Sequence, residues 1–148
     1  MDACSSSIVN FSNNPIEIIE AEQPLLIERY GYVPDTGGAG EFRGGLALVR
    51  DYRFEIAPGA EATFLLRTDR RRFVPYGLAG GRPGTPSSTV LDPDGEARLL
   101  PTKARLTVHA GEVLRHQVAG AGGWGNPLLR DPARVLHDVR EEKLTVTY

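Results

Sequence analysis

The order of apolar and polar positions predicts short strands framed by two short helices. Asn14-Pro15-Ile16-Glu17 reads as a helix start: Asn14 caps, Pro15 takes the first helical position and Glu17 meets the positive end of the dipole. Ile16, Ile19 and Ala21 supply its apolar side, and Pro24 limits it to residues 15–22, because the residue before proline avoids helical dihedrals. Leu25 to Val33 then alternates with period two, placing Leu26, Glu28, Tyr30 and Tyr32 on one face of a strand. Leu46 to Ile56 alternates again. The Pro58-Gly59 turn leads into Glu61 to Arg67, which predicts a hairpin. A second hairpin is predicted from Ser88–Leu91 and Glu96–Leu100 around Asp92-Pro93-Asp94-Gly95, and a third from Ala104–His109 and Glu112–Val118 around Ala110-Gly111. Asp131-Pro132 opens a helix over 131–142 with Val135, Leu136 and Val139 on one side and Arg134, Asp138 and Glu141 facing solvent. Leu144 to Tyr148 reads as a closing strand. About eight strands and two helices (15–22 and 131–142) predict a mainly β single domain over 1–148, an antiparallel β-sandwich or partly closed barrel.

Composition narrows the function classes. The 148 residues suit one domain, and 41% hydrophobic with 24% charged residues allows a packed core. A formal charge of −2 argues against nucleic acid as a partner. No apolar run approaches the length of about 18 residues that spans a membrane, and the N-terminus lacks the pattern of a signal peptide, so a cytoplasmic location is expected. The sequon Asn10-Phe11-Ser12 then has no glycosylation role. With Cys4 the single cysteine, no intramolecular disulfide and no cysteine-based zinc site can form. Seventeen glycines and eleven prolines, concentrated in the middle and late chain, indicate many turns.

Candidate chemistry is sparse. Gly120-Ala121-Gly122-Gly123-Trp124-Gly125 satisfies the dinucleotide fingerprint G-x-G-x-x-G, but the preceding strand belongs to an antiparallel pair and no helix follows before Asp131. A tight passage of backbone against another surface fits better. Asp69-Arg70-Arg71-Arg72 is the densest positive charge. It suits either a contact to an anion or partner carboxylate or a structural cluster. His109, His116 and His137 are too scattered for a metal site, with His109 at a turn and His116 opposite Leu106 in the third predicted hairpin. Ser5–Ser7, Ser87 and Ser88 lack a nucleophile-elbow context, and Cys4 has no neighbour that would lower its pKa.

Several of these stretches, read in order, resemble one family. The run Ser6 to Glu17, with Glu20-Ala21-Glu22, Pro24-Leu25 and Glu28-Arg29-Tyr30, is followed by Pro34-Asp35-Thr36-Gly37-Gly38-Ala39-Gly40 and Phe42-Arg43-Gly44-Gly45. Then come Asp69-Arg70-Arg71-Arg72-Phe73, Gly77-Leu78, Gly80-Gly81, Pro83-Gly84, Leu100-Pro101-Thr102-Lys103, Gly122-Gly123-Trp124-Gly125-Asn126-Pro127, and Arg130-Asp131-Pro132 with Asp138-Val139-Arg140. Together they resemble the C-terminal region of hydantoinase B proteins, which include the matching half of 5-oxoprolinases and subunits of ketone carboxylases. The resemblance implies ATP-dependent hydrolysis of a cyclic amide C–N bond, or carboxylation in the ketone-carboxylase branch, with a non-catalytic β scaffold or truncated relic as the other alternative. It implies two partners: an actin-like, ATP-binding hydantoinase A-type subunit and the earlier part of the B subunit. This chain would bind no cofactor, ATP and a divalent metal belonging elsewhere in the assembly, and would be inactive alone. The residues carried over are Asp35, Gly37, Gly38, Arg43, Gly44, Gly45, Arg70, Arg71, Arg72, Gly122, Gly123 and Gly125. For Arg43 the expected role is to fix the glycine loop through several hydrogen bonds.

Overall fold

The structure, a computed structural model, describes Asp2 and residues 14–147. Cys4, Ser5–Ser7, the sequon at Asn10 and Tyr148 lie outside the described residues. The elements are α1 (Ile16–Glu22), β1 (Leu25–Val33), β2 (Ala47–Phe54), β3 (Glu61–Arg67), β4 (Ser88–Leu91), β5 (Arg98–Leu99), β6 (Lys103–His109), β7 (Val113–Gln117), a 3₁₀ turn (Pro127–Leu129) and α2 (Pro132–Arg140). Seven strands are therefore present among the described residues, and residues 144–147 form turns instead of the expected strand. At α1, Pro15 takes the cap position, its carbonyl receiving the first helical N–H groups, and no side chain of the cap residue closes the end. Asp131 caps α2 by accepting from the Ala133 N–H, with Pro132 at the first turn.

The strands form a five-stranded antiparallel sheet in the order β1-β2-β7-β4-β5 and a separate two-stranded ribbon of β3 and β6. The described strands form no closed barrel. Of the three predicted hairpins only β4–β5 forms. β2 and β3 do not pair because the end of β2 is already bonded elsewhere: Phe54 donates to the Glu112 carbonyl at 3.0 Å and accepts from Gly111 at 2.9 Å. The turns at 58–59 and 110–111 thus carry the chain between the sheets, and β3 pairs with β6 across 36 to 48 residues of sequence, Arg67 opposite Lys103 and Glu61 opposite His109. His116 consequently lies opposite Thr89 and Arg50, not Leu106.

β1 departs from its expected alternation at a bulge between Ile27 and Arg29. Leu26 faces Arg53 while Tyr30 faces Arg50, so the extra residue puts Leu26 and the tyrosines on opposite faces. Phe54, Leu66, Leu91, Leu100, Val108 and Leu114 form the core between sheet and ribbon, with Phe64 edge-on to Phe54 at 5.6 Å. Burying a side chain such as Leu114 or Val108 completely stabilises the fold by about 1.5–3 kcal/mol. This core lies to one side of the glycine-rich loops, which are held by other means.

Candidate functional site

Three loop segments, 36–45, 75–85 and 120–125, pack backbone against backbone. Gly38 donates to the Ala121 carbonyl at 2.8 Å and Ala121 to Gly45 at 2.9 Å, joining the first segment to the third. Arg82 donates to Ala39 at 2.7 Å, joining the first to the second. Gly123 donates to Arg82 and Leu78 to Gly123, both at 2.9 Å, completing the set. Peptide groups packed against one another must be satisfied by one another, and here each segment serves as hydrogen-bonding partner for the other two. The spacing between segments requires glycine. A Cβ on Gly44 would come closer than 3.0 Å to the Ala121 carbonyl, one on Gly81 to that of Gly123, and one on Gly122 to that of Tyr76. Because the obstacle is backbone in each case, no rotamer change relieves it. At one edge Trp124 bridges both Phe42 and Leu78, and the Phe42 and Trp124 rings meet at 5.6 Å with about half their surface in solvent.

A charged cluster fastens this lattice to α2. Arg43 Nε donates to Asp138 at 3.1 Å, and Arg43 Nη1 donates to Asp2 at 3.0 Å and to the Gly44 carbonyl at 2.7 Å. Asp2 also accepts from the Leu46 N–H, and Arg130 donates to both Asp138 and the Glu41 carbonyl. The Arg43 and Asp138 side chains retain only 9% and 7% of their exposure. Burial alone would raise the Asp138 carboxyl, but the Arg43 hydrogen bond and the charges of Arg43 and Arg130 overcome it and hold the pKa below the ordinary 3.8. Asp2 follows the same balance, burial opposed by Arg43 and the Leu46 N–H, with a lowered result. Burial likewise works against the Arg43 charge, yet its two carboxylate partners raise its pKa.

The residues singled out in the sequence divide between two places. Gly37, Gly38, Gly44, Gly45, Gly122, Gly123 and Gly125 belong to the lattice; Gly125 adopts φ 77° and donates to the Leu78 carbonyl. Arg43 ties it as expected. Asp35 stands at its border with φ 60°, its carboxylate accepting from the Thr145 N–H at 2.8 Å. The three arginines lie elsewhere and diverge: Arg71 donates to the Leu100 carbonyl, Arg72 stacks on Phe73, and Arg70 has φ 62° with an exposed side chain. Asp138 corrects the sequence reading: it is buried, although helical periodicity places it on the solvent face. Arg43, 95 residues away, and Arg130 converge on it and turn that face inward.

No acid–base pair or nucleophile is assembled at the lattice among the described residues. Ser87 is buried and donates to the Asp69 carbonyl. His116 Nδ1 lies 2.9 Å from Thr89 Oγ1; burial is the largest influence on the ring and lowers its pKa below 6.5, the Ser88 backbone opposing and the Arg50 charge assisting. Among the described residues no three His, Cys, Asp or Glu side chains are placed to hold a metal ion, and no helix is long and apolar enough to cross a membrane.

Comparison with known proteins places these features in context. A sequence profile described as Hydantoinase B/oxoprolinase matches residues 1–127. The caprolactamase subunit beta of Pseudomonas jessenii is 34% identical over 141 residues, covering 88% of this chain and 23% of that protein. The 5-oxoprolinase 1 of Arabidopsis thaliana is 33% identical over 111 residues, covering 74% of this chain and 8% of that protein. The chain thus spans about a quarter or less of the length of these relatives. The crystal structure of the ATP-dependent caprolactamase from P. jessenii superimposes with a TM-score of 0.73 at 31% identity over 90% of this chain and 23% of that chain. A nucleotide-free acetone carboxylase gives the same TM-score at 17% identity, covering 90% of this chain and 22% of that one, a likeness of fold.

Proposed function

This chain belongs to the hydantoinase B/oxoprolinase family, and from that premise we propose that it serves as the C-terminal part of a hydantoinase B-type subunit. The subunit acts in a cytoplasmic, ATP-dependent enzyme that opens the C–N bond of a cyclic amide. The observation that carries this reading is the glycine lattice. The motifs of the family resemblance at 35–45, 77–84 and 122–125 converge on one rigid backbone assembly with Arg43 and Asp138 as its fastening, and not around a nucleophile. Such an assembly suits a platform that supports catalytic groups supplied from elsewhere.

Two partners follow: an actin-like, ATP-binding A-type subunit and the earlier portion of the B polypeptide. The metal of the family reading would be held elsewhere in the assembly; among the described residues no three His, Cys, Asp or Glu side chains are placed to hold one, and the lattice arginines are committed to carboxylates and carbonyls. The contribution of this chain is to orient and support.

Reconstitution tests the reading. The chain, the A-type subunit and the remaining B polypeptide are combined, and ATP hydrolysis and ring opening of hydantoin, 5-oxoproline and caprolactam are followed. Co-purification and activity that requires all three polypeptides are expected. Equal turnover without this chain, with the chain remaining monomeric beside its partners, overturns the proposal in favour of a stand-alone scaffold.

A further inference from the structure

The Asp69–Arg72 run is not absorbed by the lattice, and its three arginines have distinct fates. Arg71 and Arg72 are used within the fold, on the Leu100 carbonyl and the Phe73 ring. Arg70 is not, and neither is Arg67 at the end of β3; among the described residues no ion pair includes either. Both line one cleft of about 480 Å³, together with Ser87, His116, Val118 and Ala121. The cleft lies beside the open end of the β7 strand, beyond the last β3–β6 pair.

Its construction favours a ligand. Arg70 has the left-handed φ of 62°, unfavourable for a long side chain, and the turn is retained because Ser87 N–H donates to the Arg70 carbonyl at 3.2 Å while Ser87 Oγ donates to that of Asp69. The buried serine therefore sets the position from which the guanidinium departs. Arg67 and Arg70 share the lining with the apolar side chains of Val118 and Ala121, and His116 is engaged by Thr89. Asp69 is the one acidic residue lining the cleft. Planar guanidinium forks match the geometry of carboxylate and phosphate oxygens.

We propose that this cleft binds a small oxyanion carried on a short apolar body, a carboxylate or a phosphate ester, through Arg67 and Arg70. The site borders the lattice, sharing Ala121 and Pro75 with it, but its two arginines lie outside the three segments. Arg70 and Arg67 supply the charge-assisted hydrogen bonds; Val118 and Ala121 receive the apolar part.

The test is an NMR titration of the full chain at constant ionic strength, with sodium butyrate and inorganic phosphate replacing chloride in separate series. Saturable shifts are expected at the amides of residues 67–70, 87 and 116–121. Arg70→Asn removes the guanidinium with a residue that accepts the left-handed backbone, and weakens binding about tenfold. Arg67→Gln leaves the turn untouched and weakens binding in the same direction, which keeps the test open should the first variant fold poorly. Tighter binding of butyrate identifies a carboxylate as the preferred source of the oxyanion, and tighter binding of phosphate a phosphate. Absence of saturation at the cleft with both probes overturns the proposal. So do shifts unaffected by a folded Arg67→Gln variant. Because neither ATP nor a partner subunit enters the assay, its failure leaves the reconstitution result untouched.

Discussion

Replacing Arg43 by lysine isolates geometry from charge. The guanidinium reaches Asp138 through Nε at 3.1 Å, Asp2 through Nη1 at 3.0 Å, and the Gly44 carbonyl at 2.7 Å. A single ammonium cannot span two carboxylates on different sides and also meet a carbonyl of its neighbouring residue. Lysine therefore leaves the Gly44 carbonyl and part of one carboxylate without a donor, at about 1–3 kcal/mol for each buried group. The expected loss is about 3 kcal/mol. For a domain of this size that corresponds to a melting temperature lower by about 10 °C. The internal control is Arg53→Lys: Arg53 pairs with Glu28, but the two side chains keep 36% and 33% exposure, so solvent screening limits that pair to about 1 kcal/mol or less. Calorimetric melts of both variants at pH 7 decide the matter. A fall of less than about 2 °C for Arg43→Lys, or equal falls for the two variants, would refute the fastening role of the guanidinium.

The glycine lattice predicts opposite signs at two positions. Gly44→Ala forces a Cβ onto the Ala121 carbonyl and should cost about 4 kcal/mol or more in urea melts. At Gly31 in β1 an added Cβ would meet nothing within 4 Å and the backbone is not left-handed, so Gly31→Ala should be neutral or stabilise by up to about 1 kcal/mol in the same assay. Stability should also depend on pH. His116 has a folded pKa below its ordinary 6.5, so its contribution is complete above that value and is lost as pH falls through the folded pKa; His116→Gln should flatten the decline in melting temperature on acidification from pH 7. Asp2 and Asp138 have folded values below 3.8, so their contribution is present above that pH and disappears as pH falls through the folded values; Asp138→Asn should remove most of this acid limb in acid-unfolding curves followed by circular dichroism. Trp124, the single tryptophan, is half exposed at the lattice edge, and its emission should shift to shorter wavelength if partner subunits cover that edge in the reconstituted assembly.

Local rules are enough to place most elements along the chain. The alternation at 61–67 marks β3 to the residue, the β-prone run at 25–33 marks the bounds of β1 although a bulge breaks its alternation, and Asp131-Pro132 marks the start of α2, because strand preference and helix capping depend on neighbours in sequence. The twelve carried-over residues are legible as motifs, and Arg43 as a multiple donor. Which strand pairs with which is not legible. Pro58-Gly59 and Ala110-Gly111 look like hairpin turns, yet both hand the chain to another sheet, since the hydrogen-bonding groups of Phe54 are taken by residues 111 and 112. Asp138 is hidden for the same reason: a polar residue on a polar helix face becomes a buried ion-pair partner only when two arginines converge on it. The sequence by itself determined the β-rich class, the existence of two short helices and the Asp131-Pro132 start of the second. Tertiary structure alone decided the strand order, the interleaving of three glycine segments and the separation of Arg70 from that lattice, because each depends on backbone groups brought together from distant parts of the chain.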